Sequence, residues 1–275
     1  MIKKNVSSTQ RRLIPAYIFL IIMAFFSVFP FYWMISAATN ETLEVARGKL
    51  TFGTYALQNY QNLLATADLW GAMKNSFVYA LAQTLMALFI CSLAGYGFEL
   101  YHDRAKDRLF GILLLAMMIP GVATMIPLFK MISKAGLLNS VWGFMLPAIS
   151  TPFLIMMFRQ NSRNFPVEIM EAARIDGQSE VGIFFRMYFP IMRSTYAAAA
   201  VITFMNAWNS YMWPRIVMTR GQAQTMPMLI ANLSNGYKVD YGMLMMGVLF
   251  CSIPTMVIFF VLQKQFAEGV AGAVK

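Results

Sequence analysis

Charge is scarce in this chain, and its absence is patterned. Asp, Glu, Lys and Arg make up only 12% of the 275 residues, against about 25% in a soluble domain. None of the 12 acidic residues falls inside any of six long apolar stretches. Ion- and proton-coupled carriers place ionisable groups within the membrane, so this absence argues against a stand-alone secondary carrier. Histidine is almost missing, with His102 the one copy. A single His and two distant cysteines, Cys91 and Cys251, cannot supply the usual ligand set of a zinc site, and with the one His in a loop no Ser–His–Asp set is plausible. Both cysteines lie in apolar stretches and read as small buried hydrophobes, not as a disulfide. The G-x-x-x-x-G-K-[ST] phosphate loop is absent as well. Gly48-Lys49 is followed by Leu50 and lacks the upstream glycine, so ATP hydrolysis of the usual kind is excluded. A membrane enzyme such as a sugar transferase needs paired carboxylates or a metal-binding cluster at a span end. His102, Asp103 and Asp107 are the one candidate group, and a solvated turn explains them better. No catalytic and no metal-binding residue is expected.

What is abundant is apolar surface. The chain is 59% hydrophobic, with 24 Met, 23 Phe and a mean hydropathy of +0.57. A chain this apolar takes a bilayer as its solvent. Its net charge of +10 is spread over short loops with no aromatic interleaving. That pattern fits cytoplasmic membrane loops and not a nucleic-acid surface.

Crossing ~30 Å of hydrocarbon takes about 20 apolar residues. Six segments approach or meet this: Ile14–Ile35, Ser76–Phe98, Leu109–Phe129, Ser140–Phe158, Tyr196–Trp213 and Tyr241–Gln263. The fourth is the shortest and contains Pro147 and Pro152. The first follows Lys3, Lys4, Arg11 and Arg12 and ends near Ser36-Ala37-Ala38, which resembles a signal cleavage site. Its apolar core exceeds the ~7–15 residues of a signal peptide, so an uncleaved helix is the better reading. Six spans place both termini on one side. That side carries 14 of the 22 Lys and Arg residues, which makes it cytoplasmic. The expected organisation is a cytosolic N-terminal tail (1–12), an all-α integral membrane domain of six transmembrane helices (13–264) with a cytosolic loop at 159–193, and a cytosolic C-terminal tail (265–275).

That loop holds the most informative residues, EAARIDGQSEVGIFFRMYFP at 171–190. Pro166 suits the first position of a helix, where a missing N–H costs nothing. Glu168 and Glu171 favour its positive end. Gly177 fits a left-handed C-terminal stop, and Ser179 can cap a second helix running through Ile183, Phe184 and Phe185 toward Pro190. The small residues Ala172 and Ala173 allow another protein close to the backbone. A helix merely resting in the headgroup region is the plainer alternative.

The segment resembles the EAA signature of the membrane permease subunits of bacterial ABC importers, and the whole chain is similar to their carbohydrate branch, of the maltose type. NSFVYALAQTLMALFICSLAGYGF (75–98), MIPLFKMISKAGLLNSVWGFMLP (125–147), FMNAWNSYMWPRIVM (204–218) and FAEGVAGAVK (266–275) carry the rest of the likeness. One departure is Met187-Tyr188-Phe189-Pro190 in place of I-x-L-P, which keeps the apolar character. The resemblance implies a type I ABC importer architecture with a coupling helix between spans four and five, in the bacterial cytoplasmic membrane. It implies that Glu168, Glu171, Ala172, Ala173, Asp176 and Gly177 dock on a cytosolic ABC ATPase dimer. ATP and Mg would then be bound by that partner and no cofactor by this chain. A second homologous permease and an extracytoplasmic sugar-binding protein are the further partners implied, and the tail after Phe266 would reach toward the ATPase. A non-sugar importer of the same superfamily remains the alternative.

Asn206, Asn209 and Trp213 recur at i, i+3 and i+7 on the fifth segment, with Trp208 and Tyr211 beside them. Amides and aromatic faces suit a carbohydrate path. Intramembrane Asn also glues helices together, and Trp and Tyr also mark the membrane interface.

Overall fold

The computed structural model describes residues 3–101, 103–236 and 238–272. Helices follow one another throughout, with no strand among the described residues. They are α1 (Lys3–Ala38), α2 (Thr42–Ala46), α3 (Ala56–Thr66), α4 (Leu69–Leu100), α5 (Arg104–Ala116), α6 (Gly121–Lys134), α7 (Val141–Met145) and α8 (Pro152–Ser162). Then come α9 (Val167–Ile175), α10 (Glu180–Ile183), α11 (Phe189–Ile191), α12 (Arg193–Trp208), α13 (Met212–Val217), α14 (Met226–Ser234) and α15 (Tyr241–Gly272). Two compact units form, one from the residues up to Asp68 with Ile230–Ser252, the other from Leu69–Leu229 with the residues from Ile253 onward.

Three helical stretches are long and apolar enough to cross a membrane: Pro15–Ala38, Leu69–Leu100 and Tyr241–Val261. The expected third and fourth spans are broken. α5 and α6 meet at 103°, and the α7 segment and α8 meet at 54°, so the count is five if each bent pair is one span. The breaks have visible causes. Pro120-Gly121 interrupts the third segment, since proline removes an N–H and disfavours the helical region at the residue before it. Pro152 starts α8 at its first position after an extended Thr151. The expected fifth span is also shorter, because α12 has 16 residues. At 1.5 Å per residue that is about 24 Å, below the ~30 Å of hydrocarbon. At the ends, α1 already begins at Lys3 and α15 runs to Gly272, so backbone helix extends into the stretches expected as tails.

In the first unit, the end of α1 is tied down by side-chain amides. Asn40 is fully buried and its Nδ2 donates to the carbonyls of Ser36 (2.9 Å) and Thr51 (2.8 Å). Asn59 Nδ2 donates to those of Ala38 and Asn40, each at 2.9 Å.

α4 is the axis of the second unit, flanked by α8 and α12. Ala87, Cys91 and Gly95, four residues apart, form a stripe of small side chains along it. Lipid tails are as apolar as leucine, so close packing and not hydrophobicity draws such helices together. Ala87 and Cys91 are completely buried with Leu154, Ile155 and Phe158 of α8 and Ala199 of α12. At Gly95 the approach is closest. A methyl group there would stand 2.5 Å from Phe158 Cβ and 2.8 Å from the Arg159 nitrogen. Cys91 is thus the packed small hydrophobe that its apolar context indicates, and Cys91 and Cys251 are both free thiols.

Candidate coupling site and solute pathway

The 159–193 loop folds into a short exposed helix, a left-handed stop and a return toward α12. Pro166 is the N-cap of α9, one position before the expected one, with φ −67° and ψ 110°. Glu168 lies in the first turn. Gly177 adopts φ +76°, the region in which residues with a Cβ are strained. Its N–H donates to Arg174 O (3.0 Å) and that of Gln178 to Ala173 O (2.9 Å), the paired bonds of a Schellman stop. Ser179 Oγ then accepts from the Gly182 N–H at 3.2 Å and starts α10. The run to the fifth span is not one α-helix. Phe184–Tyr188 form a π turn before α11 and α12.

Glu168, Glu171, Ala172, Asp176 and Gly177 are exposed together on α9 and its stop. Ala173 is not part of that face. It is 4% exposed and packs inward with Met170, Tyr96, Phe165, Ile183, Phe184, Tyr188 and Met192. The i, i+3 relation of Met170 and Ala173 assigns them to one stripe, whereas Ala172 belongs to the opposite one. Two residues missed from the sequence join the open face: Ile175 is 86% exposed and Val181 67%.

Beneath α9, an aromatic cluster joins it to α4. The Tyr96 and Tyr188 rings stand 4.7 Å apart edge to face, and Tyr96 Oη reaches Met170 Sδ at 3.7 Å. Tyr188 is fully buried, its hydroxyl 2.7 Å from Ser162 Oγ. At the rim, Arg174 Nε donates to Glu180 (2.8 Å) and its Nη2 to the Tyr101 hydroxyl (3.1 Å), while Tyr101 donates to Glu180. The Arg174 guanidinium, followed by Tyr101, holds the Glu180 carboxyl below the usual carboxylate range. A depressed carboxylate stabilises the fold above its ordinary pKa, and the contribution disappears as pH falls through the lowered value. Glu180→Gln is therefore expected to speed hydrogen exchange of the α9 amides modestly at neutral pH and to match wild type in acid. Equal protection at neutral pH would count against this clamp.

A second charge cluster sits where α4, α5 and α8 meet. Arg159 Nε donates to Glu99 (3.0 Å), its Nη2 donates to Asp107 (2.7 Å), and its guanidinium lies 4.3 Å from the Phe110 ring centre. Arg163 approaches Glu99 at 3.4 Å. Asp103 caps α5, accepting from the Ala105 and Lys106 N–H groups at 2.9 Å. The Asp103/Asp107 pair thus has structural partners, and His102 lies outside the described residues. Among the described residues, no three His, Cys, Asp or Glu side chains are grouped to hold a metal.

The three pathway candidates do not share a helix face. α12 stops at Trp208, Asn209 is its C-cap, and Trp213 belongs to α13. Trp213 is a tie between elements, its Nε1 donating to the carbonyls of Gly143 (3.2 Å) and Phe144 (3.1 Å). Trp208 is 1% exposed and stacked on Phe204. Asn206 and Asn209 are exposed, and Asn206 lines a cavity of about 260 Å³ with Gln83, Thr151, Phe153 and Thr203.

A helical chain with several membrane-length segments and an exposed, glycine-stopped loop helix is a multi-pass helical membrane protein. Residues 88–272 match the family described as binding-protein-dependent transport system inner membrane component. The chain belongs to that family, the membrane part of ABC importers, whose ATPase is a separate subunit. It is 43% identical over 271 residues to the lactose transport system permease protein LacG of Rhizobium radiobacter, covering 98% of this chain and 99% of that one. It is 31% identical over 264 residues to the arabinooligosaccharides transport system permease protein AraQ of Bacillus subtilis, covering 94% of each. Its fold matches a chain in the crystal structure of a bacterial ABC transporter involved in the import of the acidic polysaccharide alginate, with TM-score 0.82 and 19% identity over 94% of this chain and 98% of that one.

Proposed function

We propose that this permease forms half of the membrane pathway for a neutral saccharide, probed first with lactose, handed over by an extracytoplasmic binding protein. It makes six passes with both termini in the cytoplasm. The bent pairs and the short α12 count as three of those passes. A homologous permease forms the other half, and α1, with 6% of its apolar window buried, is left for lipid and that partner. The exposed Glu168, Glu171, Ala172, Asp176 and Gly177, with Ile175 and Val181, dock on a cytosolic ATPase that binds ATP and Mg. Closure of the ATPase dimer then pushes α9 and, through the Tyr96–Tyr188 cluster, α4.

The observation that carries this reading is the α9 face: exposed carboxylates beside an 86% exposed isoleucine, ended by a left-handed glycine, on the side richest in Lys and Arg. The kinship with two saccharide permeases supports the solute class. Purification of the chain from its native membrane tests the assembly. A P-loop ATPase and a second permease are expected to come with it, and radiolabelled lactose uptake in proteoliposomes is expected to require ATP and the binding protein. Elution as a lone, monodisperse chain would sink the proposal.

A further inference from the structure

Gln83 is a polar residue out of place in the second unit. It is 7% exposed, near the middle of an apolar helix, and lines the 260 Å³ cavity. Among the described residues no protein group hydrogen-bonds its amide. A buried amide in a membrane interior is costly unless something satisfies it, so its partner is whatever fills the cavity. Across the space stand Asn206, Thr203 and Thr151, with Phe153 as the one aromatic ring. Thr203 Oγ1 donates to Ala199 O at 2.7 Å, which leaves its lone pairs to accept.

The chemistry of this lining is selective. It offers two amides that both donate and accept, the Thr151 hydroxyl and the accepting Thr203 hydroxyl, and no Asp, Glu, Lys, Arg or His. A sugar hydroxyl also donates and accepts, so the match is mutual. Phosphate and carboxylate ligands want guanidinium or ammonium partners, and none lines the cavity. The volume falls just under the range of about 300–1,000 Å³ for small-molecule pockets. That suits one ring at a time, not a whole oligosaccharide. We infer that this cavity is a saccharide-contacting subsite of the permease, resting on the transport reading above, and that Gln83 selects for neutral, hydroxyl-rich solutes.

The test uses the complete transporter in proteoliposomes: this chain, its partner permease, the ATPase and the binding protein. The probes are a panel of neutral di- and trisaccharides led by lactose, with sn-glycerol 3-phosphate as the anionic counterpart. Wild type is expected to carry a neutral saccharide and to reject the phosphate. Gln83→Leu is expected to cut that uptake about tenfold, the size of one hydrogen bond lost at a buried site, and Gln83→Asn is expected to restore part of it. Unchanged uptake by Gln83→Leu beside an active wild type overturns the subsite and leaves the transport reading standing. A wild type that carries no neutral saccharide overturns both. If Gln83→Leu does not assemble, Asn206→Cys in a Cys251→Ser background decides. Saturating saccharide with its binding protein is expected to slow modification by an impermeant thiosulfonate several-fold. An unaltered rate would mean that water alone fills the cavity.

Discussion

Gly177→Asp is expected to abolish ATP-driven uptake while the chain still inserts and assembles. The residue holds φ +76°, and nothing lies within 4 Å of an added Cβ. Crowding is therefore not the obstacle; the backbone is. A residue with a Cβ costs ~1–2 kcal/mol in this conformation. Replacing glycine by aspartate also adds a fourth carboxylate beside Glu168, Glu171 and Asp176 on the proposed docking face, where a charge mismatch costs several kcal/mol. At ~1.4 kcal/mol per decade, uptake should fall about a hundredfold or more. The series separates the two causes. Gly177→Asn, which tolerates the left-handed region through its short polar side chain, should be mildest, with Gly177→Ala intermediate and Gly177→Asp most severe. Uptake by the Asp variant at the wild-type rate would remove α9 from the coupling mechanism.

Arg159→Met should strongly destabilise the second unit. The Arg159 side chain is only 11% exposed and serves Glu99 and Asp107 at once. Removing it leaves Glu99, 21% exposed, with only the longer contact to the exposed Arg163. Breaking a buried pair from one side costs ~3–5 kcal/mol, and the half-exposed Asp107 puts this case near ~3. Arg159→Lys keeps the charge but loses the planar fork and the contact with Phe110, so it should fall between. Adding Glu99→Gln to Arg159→Met should recover part of the stability, because the more buried of the two carboxylates is then neutral and only the half-exposed Asp107 is left without its guanidinium. Thermal unfolding of the detergent-purified chain measures all of these. A melting temperature unmoved by Arg159→Met would show that the cluster contributes nothing.

Local chemistry was readable from the sequence and long-range chemistry was not. Gly177 and Ser179 declared the stop and the new start of the loop helices because their conformational and capping roles depend on immediate neighbours. Ala173 was assigned to the wrong face, although its spacing from Met170 carried the correct answer. Pro120-Gly121 was readable as a break, yet the apolar run across it suggested one straight span. The i, i+3, i+7 pattern of Asn206, Asn209 and Trp213 assumed a helix that in fact ends at Trp208. The cluster of Arg159 with Glu99 and Asp107 joins residues 60 and 52 positions apart. The solitary amide of Gln83 likewise becomes visible only once α4, α8 and α12 are assembled, because no local pattern encodes such distances.

The seam at Gly95 has a mechanical consequence. Two helices that leave no room for a methyl group between them cannot slide past each other without first separating. Shear along the α4–α8 contact is thereby suppressed, and the pair behaves as a stiff rod. Under the proposed coupling, a displacement delivered to Tyr96, one residue from the seam, is expected to reach Phe158 as translation of both helices together.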